Sequence, residues 1–312
     1  PIWKNTRLFA DEGRSYGVDA ERAGLFLQAL AQQLDLDAKH IFPAYEDTWY
    51  YLWRERRLPA NVDPFDSRLD DPLERARLRK VFSQGLDHVV GHVLPLTHDG
   101  AHWKSGPWFL RDERCYLLPG DSAMGYRLPL DSQPWVSKAD YPWQHPHDHY
   151  QEVSPLGPYD QIRSSFAASG YGGTSPPVLQ TAYADAFGVA GAGASGKGKE
   201  GTGKESSKSR MSDSARQPQP FESAAWLTRT ALSAEPREGR LYLFMPPVRQ
   251  LETWLQLVAA IEAVAEAQDL PVILEGYEPP KDPRLEVLRV TPDPGVIEVN
   301  VQPVSTWSQL VE

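Results

Sequence analysis

The chain has a single cysteine, Cys115, in 312 residues. That excludes an internal disulfide and any zinc site built on several thiolates, and the reducing cytoplasm is the expected compartment. Long apolar runs are missing too: none approaches the ~18–20 residues a bilayer-spanning helix needs. The opening Pro1–Asn5 holds no apolar leader core, so no signal peptide is expected there. An excess of positive charge is also lacking. With 32 Lys and Arg against 42 Asp and Glu, the formal charge is −10 and the pI about 5.3, which argues against nucleic acid as the main partner. What remains is ordinary globular material, 41% hydrophobic and 24% charged, enough for one large domain or two smaller ones.

Composition divides the chain into three stretches, 1–136, 137–222 and 223–312. In the first, Ala23, Phe26, Leu27, Leu30, Ala31 and Leu34 recur at three- and four-residue spacing, which predicts a helix capped by Asp19. Residues 41–59 read as a second, short helix. Tyr45, Trp49 and Trp53 fall at i, i+4 and i+8 and would line one face. Glu46 and Asp47 open it and Arg54, Arg56 and Arg57 close it, as the helix dipole favours. Such a face either packs against a neighbouring domain or floors a substrate groove. A third helix is expected over 71–84, with Leu73, Ala76, Leu78, Val81 and Phe82 inward, and a strand over 88–94. Residues 107–111 and 114–119 look like a hairpin, which makes Cys115 a core residue and not a nucleophile. The Gly120–Gly125 loop lacks the Walker spacing and reads as a connection.

The middle stretch is rich in Pro, Gly, Ser, Ala and Lys. From Gly188 to Arg216 it is low-complexity Gly-Ala and then Gly-Lys-Ser, too poor in apolar side chains to order itself. A flexible insert is expected over 185–220. His145, His147, Asp148 and His149 crowd together, but in a Pro-rich loop with no second cluster elsewhere, so a solvated run is expected there and not a metal site.

In the third stretch, residues 226–235 and 240–245 read as strands around a turn at 236–239. A helix over 249–268 would bury Leu251, Leu255, Val258, Ile261 and Ala265 and turn Glu252, Gln256, Glu262 and Glu266 outward. A buried strand over 270–277 carries Glu275 near its end. The last strand, 295–301, alternates: Ile297, Val299 and Val301 share one face and are expected in a core, while Glu298 and Asn300 share the other. A carboxylate and an amide oxygen so placed suit Mg²⁺, and the same alternation equally describes a solvated strand face. The expected fold is α+β, a helical and short-strand N-terminal part followed by a mostly antiparallel sheet with a covering helix.

Several strings carry a resemblance. They are Pro43-Ala44-Tyr45-Glu46-Asp47 through Leu58-Pro59 and on to Asn61-Val62-Asp63-Pro64; Ser105-Gly106-Pro107-Trp108-Phe109-Leu110-Arg111; Pro119-Gly120-Asp121-Ser122 with Met124 to Leu130; Phe244-Met245-Pro246-Pro247; Leu274-Glu275-Gly276-Tyr277; and Val290 to Asn300. Together they resemble the large bacterial proteins that join a transglutaminase-like domain to an amidoligase region, over nearly all of the chain outside about 137–222. The resemblance implies a glutamine-synthetase-like carboxylate–amine ligase fold, ATP and Mg²⁺ as cofactors, and a peptide or amino-acid-like substrate. It implies Glu298 and Asn300 as metal ligands with Glu275 assisting, and Arg229 and Arg240 as candidates for binding phosphate or a substrate carboxylate. It singles out no catalytic residue. In such proteins the transglutaminase-like domain lies upstream and a Gly-rich segment ending in His lies downstream. The chain opens without Met and closes on Ser305–Glu312, which reads as a helix cut off after its first turns, so an internal fragment, inactive alone, is expected. The alternative is a non-catalytic peptide-binding module built on Tyr45, Trp49 and Trp53. An ATP-grasp ligase is a third reading. Neither a nucleic-acid nor a membrane partner is expected.

Overall fold

A computed structural model describes residues 3–57, 72–110, 114–141, 154–164, 216–285, 287–300 and 303–311. The N-terminal apolar stripe forms helix α1 (Ala20–Gln33), and Asp19 caps it by accepting the Arg22 N–H at 2.8 Å. Strand β1 (Phe42–Glu46), helix α2 (Thr48–Glu55), helix α3 (Pro72–Gln84) and strand β2 (Val89–Pro95) follow. Next come the small hairpin of β3 (Thr97–His98) and β4 (Trp103–Lys104), then β5 (Cys115–Leu117) and the short helix α4 (Tyr159–Ser164). The last part supplies β6 (Ala231–Arg237), β7 (Arg240–Met245), α5 (Leu251–Gln268), β8 (Val272–Gly276), β9 (Arg289–Asp293), β10 (Val296–Asn300) and α6 (Trp307–Val311).

Six strands join in the order β5-β1-β2-β6-β7-β8. The inner pairs β1–β2, β2–β6 and β6–β7 are antiparallel, while the outer pairs β1–β5 and β7–β8 are parallel. The α+β class expected from sequence is present, with a mixed sheet. Strands from before residue 137 and after residue 222 meet in the β2–β6 ladder, where Leu94 stands opposite Leu232. One sheet therefore draws on both stretches.

Period-two alternation sorts the side chains of this sheet. Leu94, Leu232, Ala234, Leu241, Leu243 and Val272 meet Phe26, Leu27 and Leu30 of α1 and Leu257, Val258 and Ile261 of α5 in the main core. Burying each of these large side chains contributes ~1.5–3 kcal/mol relative to exposure. Residues of the other parity, Ser233, Glu235 and Arg237 on β6, Tyr242 and Phe244 on β7 and Glu275 on β8, face the opposite side. Part of that side is closed by a smaller core in which Met124 and Leu128 pack on Ala44, Val93, Cys115, Leu117 and Ala231. The turn at Met124–Arg127 lies flat on the sheet because residue 125 is glycine: a Cβ there would stand 2.1 Å from the Phe244 ring.

The β6–β7 turn is Glu238–Gly239, with φ of 53° and 76°, the two-residue geometry that matches strand twist. Sequence placed the turn two residues earlier. Pro236 and Arg237 stay in the strand because β2 pairs only with Ala231–Ala234. Beyond that ladder one edge of β6 tolerates a residue without an N–H.

Other departures have equally local causes. Tyr45 and Glu46 belong to β1, because Asp47 starts the helix by accepting the Tyr50 N–H at 3.0 Å. The predicted Tyr45–Trp49–Trp53 helix face is therefore not formed. Residues 107–110 form no strand, and β5 instead lies parallel to β1 with Cys115 opposite Ala44. Cys115 is buried as expected, and that burial pushes its thiol up to about 12. Glu262, read as outward, is buried because its Oε1 accepts the N–H groups of Lys4 at 2.6 Å and Asn5 at 3.0 Å. Leu73, read as inward, is exposed. β9 and β10 form a separate two-stranded hairpin, on which Ile297 and Val299 are 74% and 47% exposed, so the core expected around them is not formed among the described residues. Val301, the 145–149 histidines and most of the 185–220 insert lie outside those residues. No helix among the described residues is long and apolar enough to cross a membrane.

Candidate active site

The polar side of the six-stranded sheet opens into a cleft of about 580 Å³, within the range of small-ligand sites. Glu46, Glu235 and Val90 lie along the strands, Lys80, Gln84 and His88 come from α3 and the turn after it, and Arg237, Arg240 and Tyr242 come from the β6–β7 hairpin. Alternation places these side chains: Glu235 and Arg237 are two apart on β6, and their register partners Tyr242 and Arg240 are two apart on β7.

A chain of charge contacts fixes the geometry. Arg127 grips Glu46 with both ends of its fork, Nη1 to Oε1 at 3.2 Å and Nη2 to Oε2, while its Nε donates to the Leu118 carbonyl at 2.7 Å. Both side chains are buried, so removing either would leave the other as an uncompensated buried charge. Glu235 accepts the Met124 N–H at 3.0 Å and lies 3.5 Å from Arg237 Nε. Burial is the largest influence on its carboxyl and raises it above the ordinary range, reinforced by Glu275 and opposed by the Met124 N–H, Arg237 and Arg127. Arg237 pairs with Glu275 through Nη2 and lays its guanidinium 3.6 Å from the Tyr242 ring centroid. Arg240 pairs with Glu238 in the turn. Beside this cluster the Phe244 ring meets Tyr126 edge-on at 4.7 Å and Tyr277 at 6.2 Å.

Such a site can hold a polar ligand by charge and move a proton through Glu235. A desolvated carboxyl with a raised pKa, set in a cleft among cations, is the arrangement in which acid–base groups are found.

The residues singled out from sequence divide between places. Glu275 and Arg240 belong to this cluster. Arg229 precedes β6 and is spent on structure, donating to the carbonyls of Pro134 at 2.6 Å and Ala224 at 3.2 Å. Tyr45 lies under the Arg114 guanidinium at 5.1 Å. Trp49 and Trp53 on α2 are 69% and 52% exposed, and Arg57 stacks on Trp53 at 4.7 Å. Glu298 and Asn300 sit on the separate β9–β10 hairpin, apart from the sheet that carries Glu275. Oxygen donors of these types suit Mg²⁺, but among the described residues no three His, Cys, Asp or Glu side chains gather where one metal ion could be held. The described residues alone therefore form no complete metal site, and no chemistry is derived through one. Sequence reasoning missed Glu46, Arg127, Glu235 and Arg237. The signal for the β6 pair was present: Ser233, Glu235 and Arg237 alternate with Leu232 and Ala234, and the early turn assignment hid it. Arg127 had no local signal, since its partner is 81 residues away.

Fold and site together define an α+β protein with a charged cleft on the polar side of a mixed sheet. The family model described as "Putative amidoligase enzyme (DUF2126)" matches residues 1–312, and the chain belongs to that family. No curated protein and no solved structure matches the chain.

Proposed function

We propose that this chain forms the substrate-activating part of a carboxylate–amine ligase, with its reaction centre on the polar side of the six-stranded sheet. The observation that carries the reading is the contact of Arg237 with both Glu235 of its own strand β6 and Glu275 of β8, two strands of the sheet apart, with Glu235 and Arg237 lining the cleft. Amide formation needs cations to hold a carboxylate and its developing charge, and a base to take a proton from the attacking amine. Arg237 serves the first need. Glu235 serves the second, because burial makes it a stronger base than an exposed carboxylate. Arg127 and Glu46 act as the strut that holds Met124 and its N–H over Glu235. ATP and Mg²⁺ enter the proposal as the cofactors of this reaction class, ATP supplying the phosphoryl group that activates a carboxylate. The substrate is a peptide or an amino-acid-like molecule. The transglutaminase-like domain and the downstream segment implied by the resemblance are proposed neighbours in the complete protein, and a cytoplasmic setting is part of the same proposal.

A second reading rests on one observation. Trp49 and Trp53 stay exposed on α2, which suits a peptide-docking face without catalysis. One experiment separates the two. Phosphate release from MgATP by the complete protein is measured over a panel of amino acids and short peptides. The ligase reading expects acceptor-dependent release that falls by about 10²-fold or more in Glu235→Gln, with the circular dichroism unchanged. Unchanged release in Glu235→Gln removes the ligase centre from this cleft. Peptide binding that needs no nucleotide and is lost in Trp49→Ala, with no release at all, establishes the docking module instead.

A further inference from the structure

The cleft ends at a pair that sheet packing disfavours. Arg237 and Arg240 stand directly opposite each other on the β6–β7 ladder, and like charges so placed repel. Arg237 is compensated by Glu275, Glu235 and the Tyr242 ring. Arg240 is compensated poorly. Its side chain is 12% exposed, whereas its partner Glu238 is 80% exposed, and an ion pair made with a solvated carboxylate is worth little. The Nε atoms of both arginines are buried and make no hydrogen bond, although a buried charged donor without a partner is costly. Lys80, exposed on α3 across the cleft, makes no ion pair with any described residue.

Two guanidiniums and an ammonium thus line one cleft, where Glu46 is spent on Arg127, Glu235 lies beside Arg237, and Arg240 has only the exposed Glu238. An oxyanion supplies what is missing. It gives two oxygens to the planar fork of Arg240, a point charge for Lys80 to meet, and relief of the Arg237–Arg240 repulsion.

We infer that the Arg240 end of the cleft is an oxyanion-binding subsite in which Arg240 and Lys80 hold a carboxylate or phosphate group and Arg237 lends supporting charge. As a subsite of the ligase proposed above its role rests on that reading. As an anion site it is read by binding alone, so binding without turnover and turnover without this binding are distinguishable failures.

The test is titration calorimetry on the whole chain with three probes: inorganic phosphate, a short peptide with a free C-terminal carboxylate, and the same peptide amidated. Saturable binding of phosphate or of the free-carboxylate peptide is expected, weakening with added salt. Lys80→Gln and Arg240→Lys should each reduce it by about tenfold, the loss of one charge-assisted contact. Lys80 is at the surface, and Arg240→Lys keeps the charge while losing the fork, so both variants should fold, with thermal melts as the control. Phosphate binding marks a phosphate source; peptide binding that vanishes on amidation marks a carboxylate. Equal binding of the free and amidated peptides with none of phosphate, no saturable binding of any probe, or wild-type affinity in both variants overturns the inference.

Discussion

The polar side of the six-stranded sheet and the β9–β10 hairpin are written in the same alternating pattern, yet they end in different environments. On β6, Leu232 and Ala234 alternate with Ser233 and Glu235; on β10, Ile297 and Val299 alternate with Glu298 and Asn300. Helices α1 and α5 cover the apolar set of the first region, and the Met124 turn partly roofs its polar set, leaving Glu235 desolvated between a backbone N–H and Arg237. On the hairpin, Ile297 and Val299 are exposed and so is Glu298 between them. Alternation decides which residues share a face. What a carboxylate on that face can do is decided by what covers it, and coverage comes from residues far away in sequence.

The largest expected effect on this contrast comes from the buried pair behind the cleft. Arg127→Ala leaves Glu46 as an uncompensated buried charge and should cost about 3–5 kcal/mol in denaturant unfolding. Glu298→Ala on the exposed hairpin should stay within about 0.5 kcal/mol. A loss above about 2 kcal/mol for Glu298→Ala would show that the hairpin is docked in solution and would erase the difference between the regions.

A smaller effect tests the apolar halves. Leu243 is fully buried between the sheet and its helices, and Leu243→Ala should cost about 2–5 kcal/mol through lost burial and the cavity left behind. Val299→Ala removes methyl groups from a side chain already 47% exposed and should change stability by no more than about 0.5 kcal/mol. Comparable losses at both positions would mean that Val299 enters a core after all. The unfolding midpoints of the two variants read this directly.

The sequence made some of this legible and hid the rest for physical reasons. The α1 stripe, its Asp19 cap and the burial of Cys115 follow from local spacing, and each is present. The buried stripe of α5 was legible at Leu251, Val258, Ile261 and Ala265, but Leu255 is only half-buried, and Glu262 is buried through the N–H groups of Lys4 and Asn5 more than 250 residues away. At the site, Glu275 and Arg240 were picked out from strand ends, but Glu46 was lost to an aromatic spacing that mimicked a helix. Asp47 accepts the Tyr50 N–H and starts the helix at Thr48, beyond the Tyr45 from which that spacing began. The Glu46–Arg127 pair could not be read at all, since nothing local to either residue names the other. Arg229 shows the converse error: a guanidinium that looked like a ligand group is an internal brace for two carbonyls.

The smallest effect concerns Glu235 alone and has a definite sign. A glutamate in an unfolded chain titrates near ~4.3, and burial raises the folded value above that. Between the two values the folded chain binds more protons than the unfolded one. The contribution of this group to stability is therefore full below the unfolded pKa and is lost as pH rises through the folded pKa. Glu235→Gln keeps an oxygen for the Met124 N–H but removes the titration. The unfolding free energy of the wild type minus that of Glu235→Gln should fall as pH rises from about 4 toward 7. Carboxylates held low, such as Glu252 beside Arg284 and Glu278 beside Arg289, contribute in the opposite sense, but they are common to both proteins and cancel in the difference. Urea unfolding of the pair across that range supplies the measurement. A difference that stays flat would mean that Glu235 is as well solvated as the carboxylate on the hairpin. The cleft would then lose the one group that sets it apart as a place for proton transfer.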